Sequence, residues 1–502
     1  MKGSVLKKFL CTCLVTAAAF AATTISASAC TTIYVGGDLV EEGTPFVART
    51  EDYGSDYNKL WFISESGKWK QGDHYVGCPE YGPFTYELSH PSYRFTYFTN
   101  DIYYDGICPE CGEKADHYSY TEFGTNEKGV SVSATETLYG NEKVTEADPY
   151  RDAEWAEANK SERIGIEETD IPTIILAEAS SAHEGVKLLL DIYENYGCVA
   201  ASGVFVCDKD EVWYVENCSG TQYVAIKLND NMIFLEPNMA VIGRVDLDDE
   251  NVIASKDLIA VAKKAGTFVG DEAKNIIDFR ASYARISEKM DQRMIDGLNY
   301  LNAAYKYDSD ALVADNTKFT ISNLDASDKL VALYTNIKAD RKLDKDDVFG
   351  YYKLSSIGKA SNQEIEIFQL FKDRPVETAT VGWVGVGNMS YNVFVPYYPM
   401  LIDGMYKGYQ VSTASAKFTT EKPDTFCTYG TSWAQDAEGN WQRVSGFKAY
   451  PSNWKDSYYF TFEGLRQAPE GRGQGLRRRS TRRPPAGALQ GLRHDRPARQ
   501  GG

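Results

Sequence analysis

The chain has 502 residues, of which 43% are apolar and 25% are charged, a balance that excludes mainly disordered, collagen-like and coiled-coil proteins. The formal net charge of −18 argues against nucleic acid as the main partner, because a polyanion would be repelled. The length allows several domains or one large one.

Residues 1–29 have the pattern of a secretory signal peptide. Three lysines precede the apolar run Phe9 to Ala22, and the small residues Ala27-Ser28-Ala29 end the segment. The apolar run is shorter than a membrane span, and no later run is long enough, so we expect export without a membrane span. An uncleaved anchor helix is the alternative. The predicted location is therefore secreted, extracellular or in the cell envelope.

Cleavage after Ala29 would leave Cys30 as the first residue of the mature chain. Two chemistries use a cysteine in that place: lipidation of a lipoprotein, and catalysis by an N-terminal nucleophile. Lipoprotein signals favour an aliphatic residue where this sequence has Ala27, so the pattern favours the second chemistry. A lipid-anchored binding protein stays open as a hypothesis from a different functional class.

The segment that follows Cys30 predicts a β-hairpin. Thr31 to Val35 is a β-prone run, glycines 36 and 43 flank the turn, and Phe46 to Arg49 forms the return strand. If the turn is centred at 39.5, Arg49 pairs with Cys30. The segment Arg49–Asp52 would then be a neighbour of the first mature residue.

Further along the chain, helical and extended patterns alternate. Pro172 opens a short helix, and Ser181 to Glu184 has the form of a capping box before a helix that ends at Gly197. The remaining predicted elements are an antiparallel meander at 202–207, 211–217 and 222–228, helices at 249–265 and 271–290, and strands at 364–371, 378–386 and 391–395. This order favours one large α+β domain over residues 30–465.

The last 37 residues differ from the rest. Residues 466–502 contain ten arginines, no lysine and two acidic residues. We expect this basic tail to be disordered or translated out of frame, and we assign it no fold.

A mature N-terminal cysteine carries a nucleophile and a base on one residue. Its α-amino group titrates near ~7.7–8.0 and its thiol near ~8.5, so the amine can take the thiol proton at neutral pH. An arginine facing the thiol would favour the thiolate, which is the role predicted for Arg49. Asp52 is predicted to hold and orient the α-ammonium.

Several separated blocks resemble the N-terminal-cysteine dipeptidase family, relatives of penicillin V acylase and bile salt hydrolase. The first block is Cys30-Thr31-Thr32-Ile33 followed by Ala48 to Asp52. The others, in the same order as in the family, are 126–130 with 133–137, 213–216 with 219–222, 367–369, 383–387 and 391–396. The resemblance covers about residues 30–465.

The resemblance implies an N-terminal-nucleophile hydrolase with an αββα four-layer sandwich that hydrolyses dipeptide amide bonds. Cys30 would be the nucleophile, with Arg49 and Asp52 as its partners. The acylase relatives place an oxyanion-hole asparagine near 134–137, where this sequence has none. A backbone N–H or Thr135 would then replace it, and Arg285 would match a late arginine that lines the relatives' site.

The expected reaction is acyl transfer through a thioester on Cys30, without a cofactor, acting on dipeptides or small peptides. A second enzymatic hypothesis is an amidase or acylase of the same superfamily that acts on N-acyl amides. The family's C-terminal portion, expected after Leu465, is replaced by the basic tail. Whether the protein is a monomer or a homo-oligomer stays open at this stage.

Seven further cysteines lie outside the leader. Cys108-Pro109-Glu110-Cys111 has the form of one zinc knuckle, and Cys78 is nearby in a segment that we expect to be an insertion at about 65–120. Disulfides are the simpler interpretation in an exported chain, although an odd number leaves one thiol over. Any zinc site here would be structural and separate from the catalytic residues.

Overall fold

The computed structural model describes residues 30–52, 58–77, 84–100, 121–135, 138–287, 289–308, 337–359, 361–411, 416–435 and 441–467. The predicted signal peptide, the basic tail beyond Gln467 and the cysteines of the predicted zinc knuckle lie outside these residues. No helix in the described part of the chain combines the length and the apolar composition required to cross a membrane.

Two antiparallel sheets form the centre of the fold, and strands and helices are numbered here in chain order. In spatial order the six-stranded sheet contains β12 (Ile233–Glu236), β1 (Thr31–Val35), β2 (Phe46–Asp52), β17 (Asn362–Leu370), β18 (Thr380–Val386) and β19 (Val395–Tyr397). The eight-stranded sheet contains β14 (Val252–Ala254), β11 (Tyr223–Lys227), β10 (Val212–Asn217), β9 (Gly203–Cys207), β8 (Ser131–Thr135), β7 (Phe123–Asn126), β6 (Phe95–Asn100) and β3 (Lys59–Ser64).

The remaining elements are shorter. The helices are α1 (Glu142–Ala147), α2 (Ala153–Asn159), α3 (Ile171–Glu178), α4 (Ala182–Asn195), α5 (Leu258–Ala265), α6 (Phe279–Tyr283), α7 (Gln292–Leu301), α8 (Lys345–Tyr351), α9 (Val376–Ala379) and α10 (Tyr458–Gln467). Three small sheets contain β13 (Arg244–Asp246), β16 (Ile276–Asp278) and β15 (Gly270–Asp271); β20 (Lys417–Thr419), β22 (Trp441–Ala449) and β21 (Cys427–Gln435); and β4 (His74–Val76) with β5 (Thr85–Glu87).

Alternation of side chains along the strands creates the layers. On β9, Val204 and Val206 pack with the buried residues of α3 and α4, whereas Phe205 packs in the core between the two sheets. On β1, Ile33 packs with α7 and α8, while Tyr34 faces the core between the sheets. The chain is therefore an αββα four-layer sandwich, as the family resemblance implied.

Local sequence signals account for the helices over the eight-stranded sheet. The side chain of Ser181 caps α4 by accepting from the backbone N–H of Glu184, and Gly197 follows the helix in the left-handed region at φ 74°. The predicted helix and the predicted meander, which forms β9, β10 and β11, are confirmed.

Several sequence predictions need correction. The helix predicted at 249–265 begins only at Leu258, after β14, and the strand predicted at 391–395 is replaced by β19, which begins at Val395. The stretch 271–290 is not one helix, because β16 and the short α6 occupy it. The segment 65–120, predicted as an insertion, contains β6, which pairs with β3 and β7 in the eight-stranded sheet. The apolar residues of 271–290 have a spacing that predicts one helix, but the segment contains a strand and a short helix. Periodicity alone therefore predicted the wrong secondary structure here.

Candidate active site

Cys30 immediately precedes β1, in the interior of the six-stranded sheet, and only 5% of its surface is exposed. Its thiol donates a hydrogen bond to Oε2 of Glu51, with 3.4 Å between sulfur and oxygen. Its carbonyl oxygen accepts from Nη1 of Arg293 at 2.5 Å. The residue is thus held from both sides, by its neighbouring strand through its sulfur and by a helix through its backbone.

The pairing of β1 with β2 differs from the sequence prediction by two residues. Thr32 pairs with Arg49 and Thr31 with Thr50, so Glu51, rather than Arg49, is the neighbour of Cys30 across the ladder. A shift of two residues keeps every side chain on the same face of the strand. Arg49 and Cys30 therefore still face the space between the two sheets.

Arg49 connects the two sheets through a buried guanidinium. Its Nη1 and Nη2 each donate to Oε2 of Glu51 at 2.9 Å, and its Nε donates to Oγ of Ser133 on β8 at 2.8 Å. Nη2 lies 3.3 Å from Glu122, and Nε lies 3.3 Å from Glu366. Because Glu51 also contacts the thiol, Arg49 determines where the hydrogen-bond partner of the Cys30 thiol lies.

Buried carboxylates outnumber the cations around Arg49. Lys59 on β3 adds one positive charge, with its Nζ 2.6 Å from Glu122 and 3.6 Å from Glu364. Burial raises the pKa of Glu122 to about 7 and that of Glu366 to about 8, although Arg49 opposes the rise in both. Local sequence patterns did not indicate these glutamates, since Glu364 and Glu366 come from β17, more than 300 residues from β2.

A further glutamate near Glu51 and Glu122, Glu168, is less buried than they are. Glu51, Glu122 and the half-buried Glu168 each bring one carboxylate oxygen within 4.8 Å of the other two. Such spacing permits the three groups to share a cation. Burial, followed by the charges of Glu51 and Glu122, raises the pKa of Glu168 well above its usual value.

The surroundings of the thiol favour its neutral form. Burial and the Glu51 carboxylate raise the pKa of the Cys30 thiol, and Arg49 lowers it by a smaller contribution. The sequence-based expectation that Arg49 favours the thiolate has the right direction, but the other contributions are larger. A nucleophilic reaction at this sulfur therefore needs a base that removes its proton during the attack.

Asp52 ends β2 and is buried beside the loop that leads into β17. Asn362 donates its Nδ2 to Oδ1 of Asp52, and Nζ of Lys359 lies 3.2 Å from Oδ2. Burial raises the pKa of Asp52, and Lys359 and Asn362 oppose that rise. The charge of Asp52 contributes to raising the pKa of the Cys30 thiol. Its predicted contact with the α-ammonium stays a prediction.

Arg293, at the start of α7, is the arginine that contacts Cys30. Besides the Cys30 carbonyl, it donates to the carbonyl of Pro237 at 2.9 Å and to Asp291 at 2.9 Å. A cation in the first turn opposes the helix dipole, and this unfavourable placement is the signal in the sequence that could have identified it. Asp291, which caps the helix, offsets the charge.

Arg285, the arginine suggested by the resemblance, lies on the surface. Its guanidinium lies 4.4 Å from the ring centroid of Tyr139, and its backbone N–H donates to the Tyr139 carbonyl. The structure thus corrects this assignment: Arg293, and not Arg285, contacts Cys30.

Thr135 ends β8 opposite Gly203 and is 2% exposed. Its Oγ1 has no hydrogen-bond partner among the residues that the structure describes. Ser133, two residues earlier and hence on the same face, donates to Glu366 at 2.5 Å. Thr135 therefore faces the space between the sheets, and its role as an oxyanion donor stays a prediction.

The predicted zinc ligands Cys78, Cys108 and Cys111 lie outside the described residues. The five cysteines that the structure describes, Cys30, Cys198, Cys207, Cys218 and Cys427, are buried free thiols. The choice between zinc and disulfide at Cys108 and Cys111 stays a prediction.

Two further buried glutamates hold the loop that approaches Arg293. Glu216 accepts from the backbone N–H groups of Val241 and Ile242 at 2.6 and 3.1 Å, and Glu236 accepts from Met239 at 3.0 Å. Burial raises the pKa of Glu216 to about 8 and that of Glu236 to about 7.

These raised values predict how stability depends on pH. The folded protein binds protons that the unfolded chain lacks, so we expect the free energy of unfolding to fall as pH rises from about 4.5 to about 8. Glu216→Gln should flatten this slope, since each unit of pKa shift corresponds to about 1.4 kcal/mol. Urea unfolding at several pH values measures this slope, and Glu142→Gln, at an exposed position, is the control. An unchanged slope in Glu216→Gln would contradict the expectation.

A family profile and several known proteins match most of this chain. The profile of peptidase family C69 matches residues 29–442. A probable dipeptidase B from Streptococcus pyogenes serotype M1 is 30% identical over 403 residues, which cover 76% of this chain and 74% of that protein. A probable dipeptidase from Salmonella dublin is 28% identical over 380 residues, covering 74% and 81%.

Among solved structures, a mutant conjugated bile acid hydrolase from Clostridium perfringens is similar to this chain. The sequence identity is 11% and the TM-score is 0.26, with 74% of this chain and 96% of that chain covered.

Proposed function

Because the chain belongs to peptidase family C69, we propose that it is an exported cysteine dipeptidase that forms a thioester on Cys30. The observation that carries this proposal is the position of Cys30. It immediately precedes β1, its sulfur lies 3.4 Å from a carboxylate held by Arg49, and its carbonyl is held by Arg293. The relatives named as probable dipeptidases support the substrate class.

The first step of the proposed reaction creates the base. Removal of residues 1–29 converts the amide nitrogen of Cys30 into an α-amine, which titrates near ~7.7–8.0. The amine takes the proton from Sγ while Sγ attacks the substrate carbonyl carbon. This transfer answers the need for a base that the raised pKa of the thiol creates.

The attack gives a tetrahedral oxyanion, which then collapses. The C–N bond breaks, the leaving amine takes the proton from the Cys30 ammonium, and a thioester remains on sulfur. Water, deprotonated by the same amine, then attacks the thioester carbonyl, and the thiol is restored when the C–S bond breaks. Fixed N–H or O–H donors at the oxyanion typically contribute ~3–4 kcal/mol each.

The neighbouring residues position Cys30 in this scheme. Arg293 donates to the Cys30 carbonyl and to Oγ1 of Thr31, so it restrains the backbone next to the amine. Asp52, held by Lys359 and Asn362, supplies the negative charge that we assign to the α-ammonium. Arg49 holds Glu51, which orients the thiol.

The proposal is tested on two forms of the same protein. The mature form should begin with a free, unmodified Cys30 and should hydrolyse dipeptides. The uncleaved form, stabilised by a substitution at Ala29, should have no turnover because its Cys30 nitrogen is an amide. Mass spectrometry and N-terminal sequencing identify both forms. Equal hydrolysis by the uncleaved form, or a diacylglyceryl group on Cys30, would contradict the proposal.

A further inference from the structure

The carboxylates beside Cys30 carry more negative charge than the neighbouring cations balance. Arg49 contacts Glu51 and Glu122, and Lys59 contacts Glu122. The carboxylate of Glu168 forms no hydrogen bond or ion pair with any residue that the structure describes, although its oxygen lies within 4.8 Å of the other two. This three-carboxylate group (Glu51, Glu122 and Glu168) therefore has room for one more positive charge.

The members of the three-carboxylate group differ in exposure. Glu51 and Glu122 are 7% and 2% exposed, whereas Glu168, in the loop before α3, is half-buried. Glu51 is also adjacent to the thiol, with Sγ of Cys30 3.4 Å from its Oε2. The group therefore extends from the thiol to a partly exposed residue.

Thr135 is a second, independent indication of a ligand here. The residue is 2% exposed, and its hydroxyl has no partner among the described residues. It lies on the face of β8 from which Ser133 reaches Arg49 and Glu366. Because buried hydroxyl groups are normally hydrogen-bonded, this unpaired group indicates that a polar ligand binds in the same space.

The cation that fits is a primary ammonium. The Arg49 guanidinium donates twice to Glu51 and lies 3.3 Å from Glu122, so a divalent metal ion would lie next to a positive charge. An ammonium carries a single charge and three N–H donors, which match the three acceptors. Its charge would also offset the mutual repulsion that raises the pKa of Glu168.

The distances connect this ammonium with the reaction. In a peptide, the nitrogen of a residue lies about 2.5 Å from its own carbonyl carbon. A carbonyl carbon ready for attack lies ~3–3.5 Å from the sulfur. The α-nitrogen of the residue whose carbonyl is attacked therefore falls within reach of Glu51, which is itself 3.4 Å from Sγ.

We propose that Glu51, Glu122 and Glu168 bind the free α-ammonium of the substrate's N-terminal residue, with the Thr135 hydroxyl facing the same ligand. This inference rests on the proposed function and narrows its substrate class. The enzyme requires a protonated amine one carbon away from the carbonyl that Cys30 attacks. An N-acyl amide lacks this charge and is excluded.

The test compares a free dipeptide, alanyl-alanine, with its N-acetyl form. The wild type should hydrolyse the free dipeptide at least 100-fold more efficiently in kcat/KM. Glu168→Gln should raise KM for the free dipeptide about 10-fold or more with little change in kcat. Thermal unfolding should show that this variant remains folded. The exposed Glu142→Gln is the matched control, with unchanged KM.

A binding measurement complements the kinetics. In a mature Cys30→Ala variant, calorimetry with alanyl-alanine should show binding that Glu168→Gln weakens about 10-fold. Magnesium, calcium and zinc, added alone, should not bind in a way that depends on Glu168. Binding of one of them that Glu168→Gln abolishes would overturn the inference in favour of a metal site.

The outcomes separate this inference from the proposed function. If the N-acetyl dipeptide is hydrolysed as well as the free one and the activity requires Cys30, the amine site is wrong and the thioester mechanism stands. If KM for the free dipeptide is unchanged in Glu168→Gln, the amine site is again wrong and the thioester mechanism stands. If neither dipeptide is hydrolysed and neither binds to the Cys30→Ala variant, both proposals are wrong.

Discussion

Replacing Cys30 by alanine should reduce kcat/KM for dipeptides by about 10³-fold or more, because the substitution removes the atom that forms the thioester. Cys30→Ser should also be nearly inactive, since a hydroxyl is a much weaker nucleophile than a thiol at the same site. The fold should persist in both variants, because the change deletes or replaces a single buried sulfur. Steady-state kinetics and thermal unfolding measure the two effects separately.

The matched control for this substitution is Cys427→Ala. Cys427 is likewise a buried free thiol, but it lies on β21 in a separate small sheet. It should lose a similar amount of stability and keep its turnover. Full turnover in both Cys30 variants would rule out the mechanism, whatever the family membership of the chain.

Replacing Arg49 by methionine is expected to have the largest effect on stability. The guanidinium is 1% exposed and contacts Glu51, Glu122 and Glu366. Removing one partner of a buried ionic group leaves uncompensated charge and typically costs ~3–5 kcal/mol. Activity should fall as well, because Glu51 would lose the group that holds it against the thiol. Urea unfolding gives the stability change.

The pH dependence of unfolding in Arg49→Met tests whether uncompensated negative charge causes its loss of stability. Without Arg49, the folded state favours the neutral, protonated form of these glutamates. Their pKa values in the folded protein are already raised, to about 7 for Glu122 and about 8 for Glu366. The stability deficit should therefore be largest above pH 8 and should shrink as pH falls. A deficit of equal size at pH 5 and pH 8 would show that lost packing, rather than charge, is responsible.

Arg341→Met provides the comparison at the surface. Arg341 also forms two ion pairs, at 2.8 Å with Asp340 and at 2.7 Å with Asp347, but its side chain is 40% exposed. Solvent-exposed pairs typically contribute less than ~1 kcal/mol. The contrast between the two arginines separates the effect of burial from the number of contacts.

Local patterns in the sequence were sufficient for part of this structure. The cap at Ser181, the left-handed Gly197 and the short turns of the meander act through neighbouring residues, and the corresponding elements were predicted correctly. The hairpin after Cys30 was also predicted, but not its register. The turn contains a 3₁₀ segment, Gly37–Leu39, and Gly43 at φ 70°, which together shift the pairing by two residues.

Contacts between distant segments could not be derived in this way. Glu366 faces Arg49 only because β17 pairs with β2, and Ser133 reaches Arg49 only because the eight-stranded sheet packs on the six-stranded one. Arg293 reaches Cys30 from a helix in an outer layer. The weakly matched Arg285 was chosen instead because local similarity contains no information about which helix faces Cys30.

The amino-acid sequence by itself determined the family, through separated blocks along the chain. It also placed Arg49 and Asp52 on the strand that pairs with β1, because this hairpin depends on neighbouring residues. The nucleophilic role of Cys30 stays a prediction. The tertiary structure decided which acids and which second arginine surround the thiol. Those groups come together through the pairing and stacking of two sheets, where burial and not sequence spacing sets the distances. The same burial raises the pKa values of the carboxylates and creates the charge imbalance that we assign to the substrate's amine.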